Sequence, residues 1–452
     1  MKYLVRDRSF YTKLLALSIP MAGQQLLTAG VNMIDTLMVG QLDEIALSSV
    51  SMAGQVQFLF IFMSLGTGIG ASIMLSRYWG GKNEVSIKKT ITIAFRFIIA
   101  LAAVYTLLVG LFPRAVMNIL TTEEVVITTG VTYLKWSIPC YFLIGLPTIC
   151  TCILRNIGKV RIPLYTSIGA FVVNIFFNWV FIFGKLGMPR MEVAGAALGT
   201  MIARAFETVV IVVYVFAKDK VIRYRIKDLL MPCRDLVKEF FKITIPTVVS
   251  DTLVGLGMTM CTAVGGRISV AFMSGNSITA VMQQIMSVFS HSISSASQIV
   301  IGNTLGEGRK DDVRSESITL LLISVGLGLI VGAGIFILAG PIVNGYKLTP
   351  ETHDVAMQLM YGQAIATVLM LPSCELTKGI LRGGGDTRFL MIAEVLFLWV
   401  LSIPLGYVTG VILRWSPIIV FLMLRIDHVC KIIWCLLRFR TDKWIKKIKT
   451  AE

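Results

Sequence analysis

Long apolar runs recur along most of this 452-residue chain, and their number and length constrain its fold more than any other feature. A helix that crosses a bilayer needs about 20 mostly apolar residues. Only 15% of the residues are charged, against about 25% in soluble proteins, so lipid must surround much of the chain. The predicted spans are 14–38, 46–76, 91–112, 130–154, 163–183, 194–217, 243–264, 277–301, 317–340, 357–381, 389–413 and 417–437. We therefore predict an all-α integral membrane protein with twelve transmembrane helices.

Basic residues are distributed unevenly between the two sides of these spans. If the N-terminus is cytosolic, the inner segments contain thirty of the 42 Lys and Arg residues and the outer loops contain six. Cytosolic loops are enriched in Lys and Arg, so we expect both termini to be cytosolic. The net charge of +16 then reflects basic loops beside anionic lipid, and we expect no nucleic-acid partner.

Two short motifs recur at nearly the same separation, which indicates an internal repeat. Leu17-Ser-Ile-Pro20 is echoed by Ile243-Thr-Ile-Pro246, and Leu154-Arg-Asn-Ile-Gly158 by Leu381-Arg-Gly-Gly-Gly385. An even number of helices per repeat gives two six-helix lobes of the same orientation, related by a pseudo-two-fold axis along the membrane normal. We predict an N-lobe over 1–217, a cytosolic connecting loop over 218–242, a C-lobe over 243–438 and a basic cytosolic tail over 439–452.

Polar residues inside the first half cluster on helical faces. Gln24, Thr28, Asn32 and Asp35 follow one another at helical spacing on the first span. The fifth span carries Asn174 and Asn178, and the sixth carries Thr200. Ionisable groups in lipid are costly and usually functional. Asp35 has no basic residue within a turn of sequence, so it could bind and release a proton or ligate Na⁺, or it could merely begin the outer loop.

The second half contains more ionisable residues. Its candidates are Asp251, Gln284, His291, Glu375, Glu394 and Asp427. Glu375 with Lys378, and Asp427 with Lys431, have the spacing of helical ion pairs. Structural ion pairs and functional groups both remain open for these residues, and the amides and hydroxyls could equally hold helices together.

Other features point to no cofactor, metal or reaction chemistry. The eight cysteines lack metal or redox spacing and are interpreted as small buried hydrophobes. The N-terminus has no signal-peptide pattern, so we expect the first span to direct its own insertion. The 22 methionines suit an adaptable pocket or ordinary core packing. Gly383–Gly385 follows a span rather than a strand, and we interpret it as a helix stop.

Several motifs resemble those of the MATE (multidrug and toxic compound extrusion) transporters. They are Asn32-Met-Ile-Asp-Thr-Leu-Met-Val-Gly-Gln-Leu42, Ile153-Leu-Arg-Asn-Ile-Gly158, Gly195-Ala-Ala-Leu-Gly-Thr200 and Gly379-Ile-Leu-Arg-Gly-Gly-Gly-Asp-Thr-Arg388. Their order and the twelve-span frame are similar across nearly the whole chain. The resemblance implies an antiporter that admits H⁺ or Na⁺ and exports organic cations or amphiphiles from a bacterial cell, as a monomer in the inner membrane.

The resemblance also implies roles for individual residues. Asp35, Asn174, Asn178 and Thr200 fall on an N-lobe cation site, although many members have an aspartate in place of Asn178. In the C-lobe, Asp251 and Glu375 are the candidates for cation coupling. Here the match is looser, because Val254 and Leu371 stand where some members have acids. The candidates for the substrate cavity are Gln24, Thr28, Asn32, Gln284, His291, Glu394 and Asp427.

Two other functions remain open. A lipid or glycolipid-precursor flippase of the same superfamily would have a heavily basic cavity, whereas the basic residues within these spans are six: Arg96, Lys135, Arg204, Lys378, Arg425 and Lys431. A narrow metabolite exporter would share the fold and differ only in substrate. A membrane enzyme is disfavoured, because the outer loops are short and contain no nucleophile or His/Asp/Glu cluster.

Overall fold

A computed structural model describes residues 4–40, 44–346 and 348–450, with the backbone alone for 44–47. In these ranges the chain forms helices and turns, and no strand. Four residues named or counted above, Lys2, Gln41, Leu42 and Lys347, lie outside the described residues. The helices are α1 (Arg8–Val39), α2 (Glu44–Gly80), α3 (Glu84–Leu111), α4 (Pro113–Leu120), α5 (Glu124–Ser137), α6 (Cys140–Asn156), α7 (Arg161–Phe183), α8 (Glu192–Val213), α9 (Arg234–Ile268), α10 (Val270–Gly306), α11 (Lys310–Asn344), α12 (Pro350–Cys374), α13 (Thr387–Val395), α14 (Ile403–Tyr407), α15 (Pro417–Met423) and α16 (Asp427–Phe439).

Each of the twelve predicted spans falls on one of these helices or on consecutive ones. In the described part of the chain, nine helical segments are long and apolar enough to cross a membrane. The pair α5 and α6, bent by 51°, makes a tenth span. Pro139 lies at this bend, where its missing N–H would interrupt a continuous helix. The remaining two predicted spans are α10 and the pair α15 and α16. Helix α10 has 37 residues but contains many polar ones, and a turn separates α15 from α16.

Four π-helical segments continue helices within the spans. They are Tyr214–Lys218 after α8, Glu375–Leu381 after α12, Leu396–Ser402 after α13 and Val408–Ile412 after α14. A π-helix has i→i+5 hydrogen bonds, is rare, and frequently occurs at functional sites. The segment Glu375–Leu381 is of special interest, because it contains two ionisable residues.

Local capping explains where several helices begin and end. The Asn83 side chain accepts a hydrogen bond from Ser86 N at 2.9 Å and so begins α3. Ser269 does the same for α10 through Phe272 N, at 3.0 Å. These side chains satisfy N–H groups that have no partner in the first turn of a helix. Gly184 ends α7 in the left-handed conformation, at φ +66°, which glycine adopts without strain.

The chain divides into two compact units. The N-unit contains Gly23–Trp79, Asn83–Thr244 and the end of the chain from Lys449. The C-unit contains the chain up to Ala22, together with Gly80–Lys82 and Ile245–Ile448. Helices α1 and α9 therefore contribute residues to both units.

Each unit has its own apolar core. In the N-unit, Phe60 and Tyr141 are fully buried and pack with Tyr105, with ring centroids 5.0–5.2 Å apart. The C-unit has two clusters, one around Phe272 and Phe421 and the other along α11 and α12.

The sequence repeat is confirmed in the backbone of the turns that end α6 and the π-helical segment after α12. Gly158 and Gly385 both have positive φ, +79° and +81°. Lys159 N donates to Leu154 O at 2.8 Å, and Asp386 N donates to Leu381 O at 3.3 Å. Gly383–Gly385 is therefore a helix stop, as expected.

In each half, the same turn also forms ion pairs with residues at or after the end of the sixth span. In the N-unit, Lys159 Nζ lies 2.7 Å from Asp219 Oδ1. In the C-unit, Asp386 lies 2.7 Å from Arg438 and 3.4 Å from Lys446. We call these two ion-pair clusters the N-clamp (Lys159 and Asp219) and the C-clamp (Asp386, Arg438 and Lys446).

Candidate functional site

The first candidate site surrounds Asp35 in the N-unit. Asn178 Nδ2 donates to Asp35 Oδ1 at 2.5 Å and lies 3.5 Å from Asn174 Oδ1. Asn174 and Thr200 are also close enough to act on the Asp35 carboxylate. The structure therefore brings together the four residues that the sequence placed in an N-lobe cation site.

The Asp35 site is rich in oxygen atoms, some of which lack partners. The Oδ1 atom of Asn178 is buried and has no hydrogen-bond partner among the described residues. Gly199 makes room for this amide, because a Cβ at that position would overlap Asn178 Oδ1. Carboxylate, amide and hydroxyl oxygens are ligands for hard cations such as Na⁺, and a carboxylate can instead take a proton. The same described ranges contain no group of three His, Cys, Asp or Glu residues that could hold a metal ion.

One charged residue that acts on Asp35 comes from another helix, so residue spacing along α1 did not indicate it. Arg204, from α8, acts on Asp35 across the helix interface, although Asp35 has no basic residue within a turn of sequence. Its guanidinium pairs with Glu207 at 2.7 Å. Tertiary packing thus brings a cation from another helix near Asp35, without a direct ion pair between the two. The helical spacing from Thr200 to Arg204 is the sequence signal that points to it.

The other candidates on α1 differ in their surroundings. Gln24 donates to Ser167 Oγ at 3.2 Å and accepts from Arg155 at 2.6 Å, so it is tied within the N-unit. Thr28 is exposed and its hydroxyl bonds to the backbone of its own helix. Asn32 is also exposed.

The second site lies in the C-unit and is built around a buried guanidinium. Arg382 lies 2.9 Å from Asp251 and 3.8 Å from Glu394. Ser250 donates to Glu394. All four side chains are buried, so two carboxylates share one cation away from water. Asp251 and Glu394 were candidates for different roles, and sequence spacing gave no sign that Arg382 joins them.

The two ion pairs considered from sequence have different outcomes. Asp427 and Lys431 form a buried pair at 2.6 Å, on α16. Glu375 and Lys378 do not pair. Ser294 donates to Glu375 at 3.2 Å, and Lys378 bonds to His291. The π-helical turn explains the difference, because its wider winding rotates residues three apart away from each other.

The remaining C-unit candidates are His291 and Gln284 on α10 and Glu375 in the π-helical segment after α12. His291 is partly exposed, with Nδ1 2.7 Å from Ser287 O and Nε2 3.1 Å from Lys378 Nζ. Gln284 is exposed two turns earlier. Glu375 is buried, and its Oε1 has no hydrogen-bond partner in the described ranges.

The MatE family model matches residues 20–180 and 246–408, which together make up most of the chain. The chain belongs to the MatE family. This confirms the resemblance found in the motifs and identifies the chain as a member of a family of membrane transporters rather than enzymes. The matched ranges cover both halves of the repeat and contain every candidate residue except Thr200 and Asp427.

Relatives and solved structures of MatE members match nearly the full length of the chain. It is 22% identical over 418 residues to the uncharacterized transporter YisQ of Bacillus subtilis (strain 168), with 91% of this chain and 90% of YisQ covered. It is 23% identical over 440 residues to the probable multidrug resistance protein NorM of Thermotoga maritima, with 96% and 93% covered. A solved outward-facing conformation of a multidrug resistance MATE family transporter of the MOP superfamily has a TM-score of 0.86 at 17% identity, with 95% and 96% covered. The fold is therefore that of MATE transporters, with twelve helices in two lobes.

Proposed function

We propose that this MatE protein is a multidrug efflux transporter that exchanges H⁺ or Na⁺ for organic cations or amphiphiles. The observation that carries the proposal is the Asp35 site. Its carboxylate is held by an amide and lies among further oxygen donors, rather than being neutralised by a direct ion pair. The probable multidrug resistance protein NorM of Thermotoga maritima, a full-length relative, supports the substrate class.

Coupling follows from the chemistry of the carboxylate. When H⁺ or Na⁺ binds, Asp35 loses its net negative charge and its attraction for a cationic substrate. Asp35 belongs to α1, so a change in its bond to Asn178 alters the packing of α1 on α7. A cation and a substrate that favour different states of the same helix are thermodynamically coupled.

The proposal includes a location and an orientation. The transporter would lie in the bacterial inner membrane as a monomer, with cytosolic termini. The uneven distribution of Lys and Arg supports this orientation. The C-unit residues Asp251 and Glu375 would form a second coupling region.

The test is uptake of a fluorescent cationic dye into inverted membrane vesicles that contain the protein. A proton gradient and a sodium gradient are imposed separately. We expect one of them to drive dye uptake, and Asp35→Asn to reduce that uptake to background. Asp311→Asn, which neutralises an exposed carboxylate at the start of α11, is the matched control and should behave as wild type.

Two results would count against the proposal. Full gradient-driven uptake by Asp35→Asn would remove Asp35 from coupling. No uptake under either gradient, from folded protein, would favour a lipid or glycolipid-precursor flippase or a narrow metabolite exporter.

A further inference from the structure

Lys378 is a cation within a span that has no anionic partner. In the described part of the chain, no carboxylate lies within the 4.0 Å ion-pair distance of its Nζ. Glu394 acts on it only at longer range and is shared with Arg382. A charged group in the membrane is costly unless it is paired or faces water. Lys378 is partly exposed, so its exposed side must face water rather than lipid.

The bond to His291 leaves the Lys378 charge uncompensated. The Nδ1 atom of His291 lies 2.7 Å from the carbonyl oxygen of Ser287, so Nδ1 must carry the proton and donate it. Nε2 then holds a lone pair, and Lys378 Nζ donates to it at 3.1 Å. The imidazole is neutral, and it orients the ammonium group without cancelling its charge.

Three other cations of the C-unit have different surroundings: Arg382, just after a span, and Lys431 are paired with carboxylates, whereas Arg425, although partly exposed, is held by an amide and an aromatic ring. Arg382 and Lys431 have carboxylate partners at 2.9 and 2.6 Å, and both are buried. Arg425 donates to Gln283 and stacks over the Phe421 ring, 5.1 Å from its centroid. Lys378 thus combines partial exposure, an unpaired charge and an orienting partner.

The local helix geometry maintains this arrangement. Lys378 lies in the π-helical segment Glu375–Leu381, which separates it from Glu375. An ordinary α-helix would bring the two side chains together and neutralise the ammonium group. Instead, Glu375 turns to Ser294, and Lys378 turns to His291 on α10.

We propose that Lys378, oriented by His291, is an anion-binding subsite that accepts the carboxylate of a zwitterionic amphiphilic substrate. The proposal rests on the export function above and refines its substrate class. Substrates would carry a carboxylate as well as a cationic group. Gln284, exposed on the same face of α10, would line the approach to the subsite.

The test compares two dyes with the same xanthylium cation. Rhodamine B has a free carboxylate, and rhodamine B ethyl ester does not. Binding to purified protein in detergent is measured by fluorescence anisotropy, without any ion gradient. We expect Lys378→Met to weaken rhodamine B binding by at least about tenfold, since charge-assisted hydrogen bonds are about twice as strong as neutral ones. Binding of the ester should stay within about twofold of wild type.

Matched variants separate charge from packing. Lys378→Arg should retain most rhodamine B binding, because it retains the charge. Lys135→Met removes an exposed lysine of α5, in the N-unit, and should change neither dye. His291→Gln should weaken rhodamine B less than Lys378→Met does, because it disturbs orientation only.

The proposal is overturned if Lys378→Met weakens both dyes equally or leaves rhodamine B unchanged. If Lys378→Met does not fold, wild-type protein still decides the question, because it must bind rhodamine B more tightly than the ester. Binding needs no gradient, so a failure of the export function appears only in the vesicle assay and is distinguishable from a failure of the subsite.

Discussion

Asp35 of the N-unit and Asp251 of the C-unit, the two aspartates proposed for coupling on the first helix of each half, are held by opposite means. In the N-unit, Asp35 is partly exposed and bonded to the neutral amide of Asn178, while Arg204 pairs with Glu207. In the C-unit, Asp251 is buried and bonded directly to Arg382. A carboxylate held by an amide can change its charge without weakening an ion pair, whereas one bonded to a buried guanidinium cannot. The difference supports the proposed ion exchange at Asp35, and it predicts that any coupling through Asp251 also involves its pair with Arg382.

The largest expected effect on stability comes from replacing each of the two aspartates, Asp35 and Asp251, with asparagine. Asp251→Asn leaves Arg382 with Glu394, at 3.8 Å, as its remaining counter-ion, so we expect a loss of about 2 kcal/mol, below the roughly 3–5 kcal/mol of a fully uncompensated buried charge. Asp35→Asn replaces an amide-bonded carboxylate with an isosteric amide and should change stability by less than about 1 kcal/mol. Thermal unfolding in detergent measures both. Equal destabilisation by the two variants would end the distinction between the units.

A double variant sharpens the same comparison. Asp251→Leu with Arg382→Met removes both charges and keeps apolar volume, and buried ion pairs replaced in this way often cost little stability. We expect it to recover only part of the stability that Asp251→Asn loses, because Glu394 loses its ion-pair partner when Arg382 is replaced. A double variant as unstable as the single one would show that the network of Glu394 and Ser250 depends on Arg382 for more than charge compensation.

A smaller effect is expected from the glycine that shapes the Asp35 site. Gly199→Ala places a Cβ where Asn178 Oδ1 lies, so the amide must move away from Asp35. Overpacking of this kind costs about 1–3 kcal/mol. The control is Gly54→Ala on α2, which meets no atom within 4 Å and should be neutral or stabilising. We expect gradient-driven dye uptake to fall in Gly199→Ala and to be retained in Gly54→Ala.

The sequence predicted helices and repeats better than it predicted ion pairs. Span positions followed from apolar runs, and the polar faces of α1 and α7 followed from helical spacing; both are local patterns. The resemblance to MATE transporters, and not the spacing, implied that these faces join in one Asp35 site. Arg204, which α8 brings to Asp35, and Arg382, which follows the π-helical segment Glu375–Leu381 and reaches Asp251, lie more than one hundred residues from their partners. Spacing along one helix cannot show such contacts.

The sequence analysis also did not predict the π-helical winding of Glu375–Leu381. Glu375 and Lys378 have the spacing of a pair, and Asp427 and Lys431 do too, yet only the second pair forms. The residues themselves do not reveal the π-helical turn that separates the first pair. In the structure this segment packs against α10, a contact between distant parts of the chain that the spacing of residues does not show.

The smallest predicted effect concerns the two clamps, which occupy equivalent positions in the repeat with reversed charge. Lys159 holds Asp219 in the N-clamp, and Asp386 holds Lys446 in the C-clamp. The separation between corresponding residues is the same 227 positions as between Gly158 and Gly385. If Asp219 lay beside Asp386, or Lys446 beside Lys159, like charges would meet. We infer that this charge reversal favours the contact of Asp219 and of Lys446 with the turn of its own half.

Charge reversal in the N-clamp tests this inference. Lys159→Asp places two carboxylates together and should destabilise the protein by about 1 kcal/mol, because the lysine is partly exposed to solvent. Adding Asp219→Lys should restore most of that loss, and a double-mutant cycle in thermal unfolding gives the coupling energy. A coupling energy of zero would reduce the clamp to a chance surface contact.

The pH dependence separates the N-clamp from ion exchange at Asp35. Burial raises the pKa of Asp219, but hydrogen bonds from Lys159 and from Ile222 N outweigh that effect and hold the pKa below its ordinary 3.8. A carboxyl group whose pKa is lowered on folding contributes stability above its ordinary value and loses it as the pH falls through the lower, folded value. The N-clamp is therefore intact throughout the range from about pH 5 to 8. Transport that changes within this range should change equally in the Lys159→Asp/Asp219→Lys variant, since the titrating group lies elsewhere.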